Sequence, residues 1–302
     1  MSDSMEALRR KIGSATDLQS VVRTMKAIAA SNISQYENAV RSLDRYSNTV
    51  QLGLSACFRG VATGYMPPVR LQGQKAVGAV IFGSDQGLVG QFNEMIAEYV
   101  LRILQPMPGK KIIWTVGDRL YAHLAEAGLT VHGRFVLPNS ISAITPLVGR
   151  ILSELDEMRQ TAGLDQVYLF HNYPQSAIVY TPVSLRLLPL DALWQRGLAV
   201  LEWPSKNLPQ VFDSREETLS SCVREYFFVS LFRSCAESLA SENASRLAAM
   251  QRAEENIDSL LGDLNQNFHR QRQSSIDEEL FELIAGFEAL IRPATTSGNA
   301  SH

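Results

Sequence analysis

Apolar and small residues step by threes and fours along both ends of the chain. Toward the C-terminus the series is Leu247, Met250, Glu254, Ile257, Leu261, Leu264, Phe268, Gln271, Ser275, Glu279, Leu283, Gly286, Leu290. Toward the N-terminus it is Val22, Met25, Ala29, Ile33, Tyr36, Val40, Leu43, Ser47, Val50, Leu54, Cys57. A mean step of about 3.5 residues is the seam of a left-handed coiled coil. The pattern predicts one helix over residues 5–59 and a longer one over residues 211–291, stopped by Pro293. Gly13 and Gly53 weaken the first helix by about 1 kcal/mol each without ending it. Glu254, Gln271 and Glu279 are polar where a purely stabilising seam would carry leucine. Part of this helix surface is therefore expected to do something other than pack.

Between the helices the texture changes. Residues 75–83 (KAVGAVIFG), 111–116, 131–137, 166–171 and 177–188 read as strands. Residues 93–104, 119–127 and 144–162 read as amphipathic helices. Strands and helices alternating at this spacing predict an α/β domain with a largely parallel sheet. The expected division is a helix over 1–59, a linker over 60–74 with Gly64, Pro67 and Pro68, and the α/β domain over 75–190. A second linker over 191–210 with Pro204 and Pro209, the second helix over 211–292 and a disordered polar tail over 293–302 complete it. The predicted fold class is α/β, with a long antiparallel coiled coil of the N- and C-terminal helices and a small central α/β domain. The helices pair antiparallel because the middle domain returns the chain to its start. Their unequal lengths leave one end of the C-terminal helix to project alone or pack elsewhere. A helix pair longer than its own domain connects or transmits more often than it catalyses.

Composition narrows the function. The chain has 302 residues, 45% hydrophobic and 20% charged, with a net charge of −3, which argues against a nucleic-acid partner. The N-terminal helix carries about +2 and the C-terminal helix about −8, which favours their pairing only slightly, since exposed ion pairs are weak. Cys57, Cys222 and Cys235 are scattered and read as buried free thiols in a reducing compartment. The opening MSDSMEALRRK has no apolar core and does not read as a signal peptide. The longest apolar run, residues 76–82, is far short of the ~20 residues a spanning helix needs. Membrane association is therefore expected through a protein partner.

Candidate chemistry is sparse. The turn GSDQGLVG at residues 83–90 follows a strand and precedes a helix, where an α/β domain would hold a phosphate. Its glycines do not match GxGxxG, and no GK[ST] follows, so a structural turn is the preferred reading. His123, His132, His171, His269 and His302 show no ligand spacing. The run Asp277-Glu278-Glu279 reads as a solvated helix face. No nucleophile motif occurs. The expectation is a non-catalytic protein with no cofactor and no metal.

Two segments then become specific. Residues 8–31 read LRRKIGSATDLQSVVRTMKAIAAS, and residues 240–290 read ASENASRLAAMQRAEENIDSLLGDLNQNFHRQRQSSIDEELFELIAGFEAL. With GSDQGLVG they resemble the gamma subunit of F-type ATP synthases over nearly the whole chain. The resemblance implies a central-stalk rotor that couples ion flow to ATP synthesis or hydrolysis and catalyses nothing itself. Its implied partners are the alpha and beta subunits of the catalytic ring, the epsilon subunit and the c-subunit ring. The implied location is peripheral, on the cytoplasmic side of a bacterial inner membrane. By matching positions, the stator contacts implied are Arg23, Met25, Lys26, Arg246, Arg272, Gln273, Glu279 and Glu282. Departures are Asp277 and Glu278 for the family's threonine and glutamine, Asn32 for lysine, and Gln86 and Val89 for arginine and cysteine. They mark a divergent bacterial form. An alternative sodium-translocating type is among the forms these departures allow, and the coupling ion stays open. The competing reading is a coiled-coil adaptor with a degenerate nucleotide-binding domain; an enzyme built on the 83–90 turn is a weaker third. The company the chain keeps on purification separates them.

Overall fold

A computed structural model describes residues 5–58, 76–175, 179–207 and 214–291. The expected linker at Gly64, Pro67 and Pro68, Pro209 and the tail after Pro293 lie outside the described residues. The element order is α1 (Met5–Phe58), β1 (Ala76–Phe82), α2 (Phe92–Leu104), β2 (Lys111–Val116), α3 (Asp118–Glu126), β3 (Val131–Phe135) and α4 (Ile141–Thr161). Then follow β4 (Leu164–Pro174), β5 (Tyr180–Leu188), α5 (Ala192–Ala199) and α6 (Arg215–Ile291). The chain divides into two compact units, Met1–Met25 with Gln251–His302, and Lys26–Met250.

In the Lys26–Met250 unit the sheet order is β3-β2-β1-β4-β5. Strands β1 to β4 are parallel and β5 is antiparallel to β4. The central strand β1 is buried along its whole length, as expected for a parallel strand covered on both faces. Alternation then sorts its side chains. Val77, Ala79 and Ile81 pack with Ile96, Val100, Leu120 and Leu124 of α2 and α3. Val80 and Phe82 pack on the other face with Ile144, Val148 and Ile151 of α4 and with Leu231, Cys235 and Leu239 of α6. Tyr36 of α1 joins this second cluster. The helix pair thus forms part of the cover of one sheet face within this unit.

The long helices follow the expected seam. Val22, Ala29, Tyr36, Val50, Leu54 and Cys57 are all buried. Their pairing is antiparallel in this unit, with Asn32 bonded to Asn243 and Asp44 to Arg233.

Four local features differ from the sequence pattern. The residues 191–199 contain a helix, α5, where a linker is expected. Asp191 caps it, its carboxylate accepting the Trp194 N–H at 3.0 Å. Trp194 then meets Phe58 and Tyr226 edge-on, at 6.1 and 5.1 Å. Strand β3 ends at Phe135 because the Leu137 N–H bonds the Asp85 carboxylate, at 3.0 Å, instead of the sheet. Strand β4 continues to Pro174 because β5 pairs with it as far as Tyr180. Helix α4 begins at Ile141, one turn before Ile144, and Ile141 packs half-buried against the same cluster.

Candidate functional site

The turn after β1 is held by its own side chains. Asn93 accepts the Ser84 N–H at 3.0 Å and donates to the Ser84 hydroxyl at 2.8 Å. Asp85 accepts the N–H groups of Asp118 and Leu137, each at 3.0 Å. Gly83 is required by close approach, since a Cβ there would stand 2.4 Å from Leu120 Cβ. These bonds tie the turn to α2, to α3 and to the end of β3.

The eight residues expected to meet a stator lie on the two long helices. In the unit of Met1–Met25 and Gln251–His302, α1 and α6 again run antiparallel. Arg23 Nε donates to Glu254 Oε1 at 2.7 Å, Gln19 bonds Asp258, and the Arg9 guanidinium lies 5.5 Å over the Phe268 ring. Glu254, a polar seam position, is therefore half-buried as the partner of Arg23, which itself stays exposed. That hydrogen bond holds the Arg23 guanidinium above its ordinary pKa. Met25 is half-buried beside this pair.

The register decides what happens farther along. Arg9 faces Phe268, so the first described turn of α1, at Met5, reaches only as far as Arg272. Beyond that point no described residue of α1 lies opposite α6. Leu261, Leu264, Phe268, Gln271 and Ser275 are half-buried, whereas Glu279, Leu283 and Gly286 of the same seam are exposed. Arg272, Gln273 and Glu282 are exposed as well. Ile276, Leu280, Leu283, Ile284 and Phe287 recur at helical spacing as one exposed apolar stripe. Glu278, Glu279 and Glu282 lie together on the other side of the helix.

In the Lys26–Met250 unit, Lys26 is half-buried and Arg246 is turned inward. Arg246 donates to Glu242 at 2.5 Å, with the Glu242 side chain 3% exposed. Burial pushes the Glu242 carboxyl up, and the nearby Asp85 adds to this against the pull of Arg246. Around this pair runs a polar layer that sequence spacing did not reveal. Ser245 donates to the Val89 carbonyl, Ser241 to the Asn172 carbonyl, and Asn172 to the Phe92 carbonyl. His171 Nε2 lies 2.8 Å from Glu237 Oε2, and Arg233 donates to Glu237 Oε1 at 2.7 Å and to Asp44 at 2.9 Å. Burial opposes ionisation of Glu237, yet His171 and Arg233 together hold its carboxyl below the ordinary value. The signal that could have disclosed this layer is the run of Ser, Asn and Glu inside an uninterrupted helix.

An antiparallel helix pair packed on a five-stranded sheet, with its site candidates strung along helix surfaces, defines a connecting subunit of a larger machine. The chain matches the family model described as ATP synthase over residues 4–290. It is 24% identical to the ATP synthase gamma chain of Brevibacillus brevis, over 96% of this chain and 99% of that one. It is 26% identical to the gamma chain of Pasteurella multocida, over 94% of this chain and 98% of that one. Its fold is similar to a chain of the Euglena gracilis mitochondrial ATP synthase, with a TM-score of 0.64 and 17% identity, covering 98% of this chain and 99% of that one. The chain belongs to the ATP synthase gamma-chain family. Its members form the central stalk of the F-type enzyme, and the expectation of fold and family drawn from the two terminal segments holds.

Proposed function

We propose that the chain is the rotor of the central stalk, coupling ion movement through a c-subunit ring to ATP synthesis or hydrolysis in the alpha and beta ring, and catalysing nothing itself. The observation that carries this reading is the far end of α6. Its apolar stripe from Ile276 to Phe287 is exposed, with no described α1 residue opposite. Exposed apolar surface of this extent marks an interaction site, and a collar of alpha and beta subunits would cover it. Arg23, Met25, Lys26, Arg272, Gln273, Glu279 and Glu282 are the contacts proposed with that collar. Arg246, engaged with Glu242, acts by holding the shape of α6 beneath them. No described helix is long and apolar enough to cross a membrane. The attachment proposed is through the c-ring, with epsilon beside it, on the cytoplasmic face of a bacterial membrane.

The test is co-expression with alpha and beta subunits from the same organism. The chain should capture a ring of nucleotide-binding subunits. The triple variant Leu280→Ser, Leu283→Ser, Phe287→Ser should lose the ring while keeping its helical circular dichroism. Recovery of unrelated partners and no ring would favour the adaptor reading.

A further inference from the structure

The helix pair also carries a thiol contact that the rotor role does not use. On α1, Gly53 and Cys57 are one turn apart on the same face. Cys222 of α6 sits against that face, and a Cβ at Gly53 would stand 3.3 Å from Cys222 Sγ. Cys57, one turn along that face, counters the effect of burial on the Cys222 thiol, which puts the two side chains within range of each other. A disulfide needs Cα atoms about 4.4–6.8 Å apart, whereas helix axes pack at about 8–10 Å. At Gly53 the missing side chain lets Cys222 Sγ come against the α1 backbone, a closer approach than ordinary helix packing allows. Cys57 is buried and Cys222 is partly open, among Val50, Leu54, Leu198 and Val229. Cys235 belongs to a different cluster, against the sheet.

We propose that Cys57 and Cys222 form a redox-modification site, closed to an intrachain disulfide by a hydroperoxide so that α1 is stapled to α6. Cys222, the more accessible thiol, attacks the peroxide oxygen. The O–O bond breaks, the distal oxygen leaves as an alcohol, or as water when the oxidant is hydrogen peroxide, and Cys222 becomes a sulfenic acid. The Cys57 sulfur then attacks the sulfenic sulfur. The S–S bond forms, the S–O bond breaks, and the oxygen leaves as water with the Cys57 proton. Two electrons pass from the thiols to the peroxide, and a dithiol reductant reverses the change. Burial pushes the Cys222 thiol up while Cys57 acts the other way. Little thiolate is present, so the site closes under sustained oxidant and is not a fast sensor. The bond lies within one chain and ties the two helices to each other, not to any partner.

The experiment exposes the reduced full chain to hydrogen peroxide, quenches it, and digests it without reduction. A Cys57–Cys222 linked peptide should appear. In denaturant, Cys57 and Cys222 should resist alkylation until dithiothreitol is added, while Cys235 alkylates throughout. The oxidised chain should melt several degrees above the reduced one, and Cys222→Ser should lose that shift; Cys57→Ala serves as the second variant. Full alkylation of all three cysteines after prolonged exposure would overturn the proposal. So would sulfinic acid on Cys222 beside a free Cys57, or dimers joined through Cys222 of separate chains.

Discussion

Helix α6 contains two stretches of equal length that reverse the usual relation between polarity and burial. Residues 234–245 read SCAESLASENAS and are buried throughout; residues 276–287 read IDEELFELIAGF and are exposed throughout. The first stretch is poor in large apolar side chains, yet its small residues let α6 lie close to both α1 and the sheet. Its carboxylates are met by His171, Arg233 and Arg246. The second stretch is rich in leucine and phenylalanine, but nothing in the described chain covers it. Burial is thus set by what surrounds a helix, and hydropathy tells only what that helix needs. The polar stretch finds its partners inside the chain, and the apolar stretch finds none among the described residues.

The contrast breaks most readily at Glu237. Removing one member of a buried ion pair leaves the others unpaired, at about 3–5 kcal/mol. Glu237→Ala should lower unfolding stability on that scale in a urea titration. A change within about 0.5 kcal/mol would mean that the polar layer is solvated and that the two stretches differ less than their burial suggests.

A comparable effect, read on turnover and not on stability, is expected at Arg272. The guanidinium is exposed in the chain alone and is free to meet a carboxylate of the collar. Losing one side of a desolvated charge pair costs about 2–5 kcal/mol. Arg272→Ala should leave the melting temperature unchanged while lowering coupled ATPase activity of the assembled complex. Asp277 and Glu278, departures from the family, could instead satisfy Arg272 within α6. Repeating the comparison in an Asp277→Thr, Glu278→Gln background measures that. Unchanged turnover in both backgrounds would exclude the contact.

A smaller effect lies in the pH dependence. The folded chain holds the Glu237 carboxyl below its ordinary 4.5. A depressed carboxyl contributes stability above its unfolded pKa and loses it as pH falls through the folded one. Wild type should therefore weaken progressively below about pH 4.5, and Glu237→Gln should lack that part of the acid limb. Glu242 works in the opposite sense. Its carboxyl is held up by burial, so its contribution is greatest when protonated and declines as pH rises. Glu242→Gln should cost less at neutral pH than Glu237→Gln.

The smallest effect belongs to the exposed stretch. Leu283→Ser should shift the melting temperature of the isolated chain by less than its error, because the side chain is 72% exposed. Its aggregation onset by light scattering should move to higher concentration. A marked loss of stability would show that this end of α6 packs within the chain after all.

Much of the architecture is legible in the sequence. The seam from Val22 to Cys57 and from Leu247 to Ser275 follows from a period that only paired helices satisfy. The β/α alternation between them likewise rests on local periodicity. Helix α5 was not legible, because Pro189 and Pro204 flank a segment too short to show a period, and only Asp191 signals its start. The reversed direction of β5 was also hidden, since strand polarity leaves no trace in hydropathy. Among the site residues, Arg272, Gln273, Glu279 and Glu282 are exposed as a contact role requires, whereas Arg246 is turned to Glu242.

The sequence by itself determined the two helices and the α/β character of the middle, because these depend on spacing along the chain, and the antiparallel pairing of the helices, because the middle domain returns the chain; the family came from the resemblance of the terminal segments. Only the tertiary structure decided which polar residues are sealed inside. His171 reaches Glu237, Asp85 reaches Leu137, and Cys222 comes against Gly53 across long separations in sequence. Those meetings depend on the register of α6 against α1 and the sheet. Register is fixed by the summed packing of many small side chains, and no local pattern encodes it.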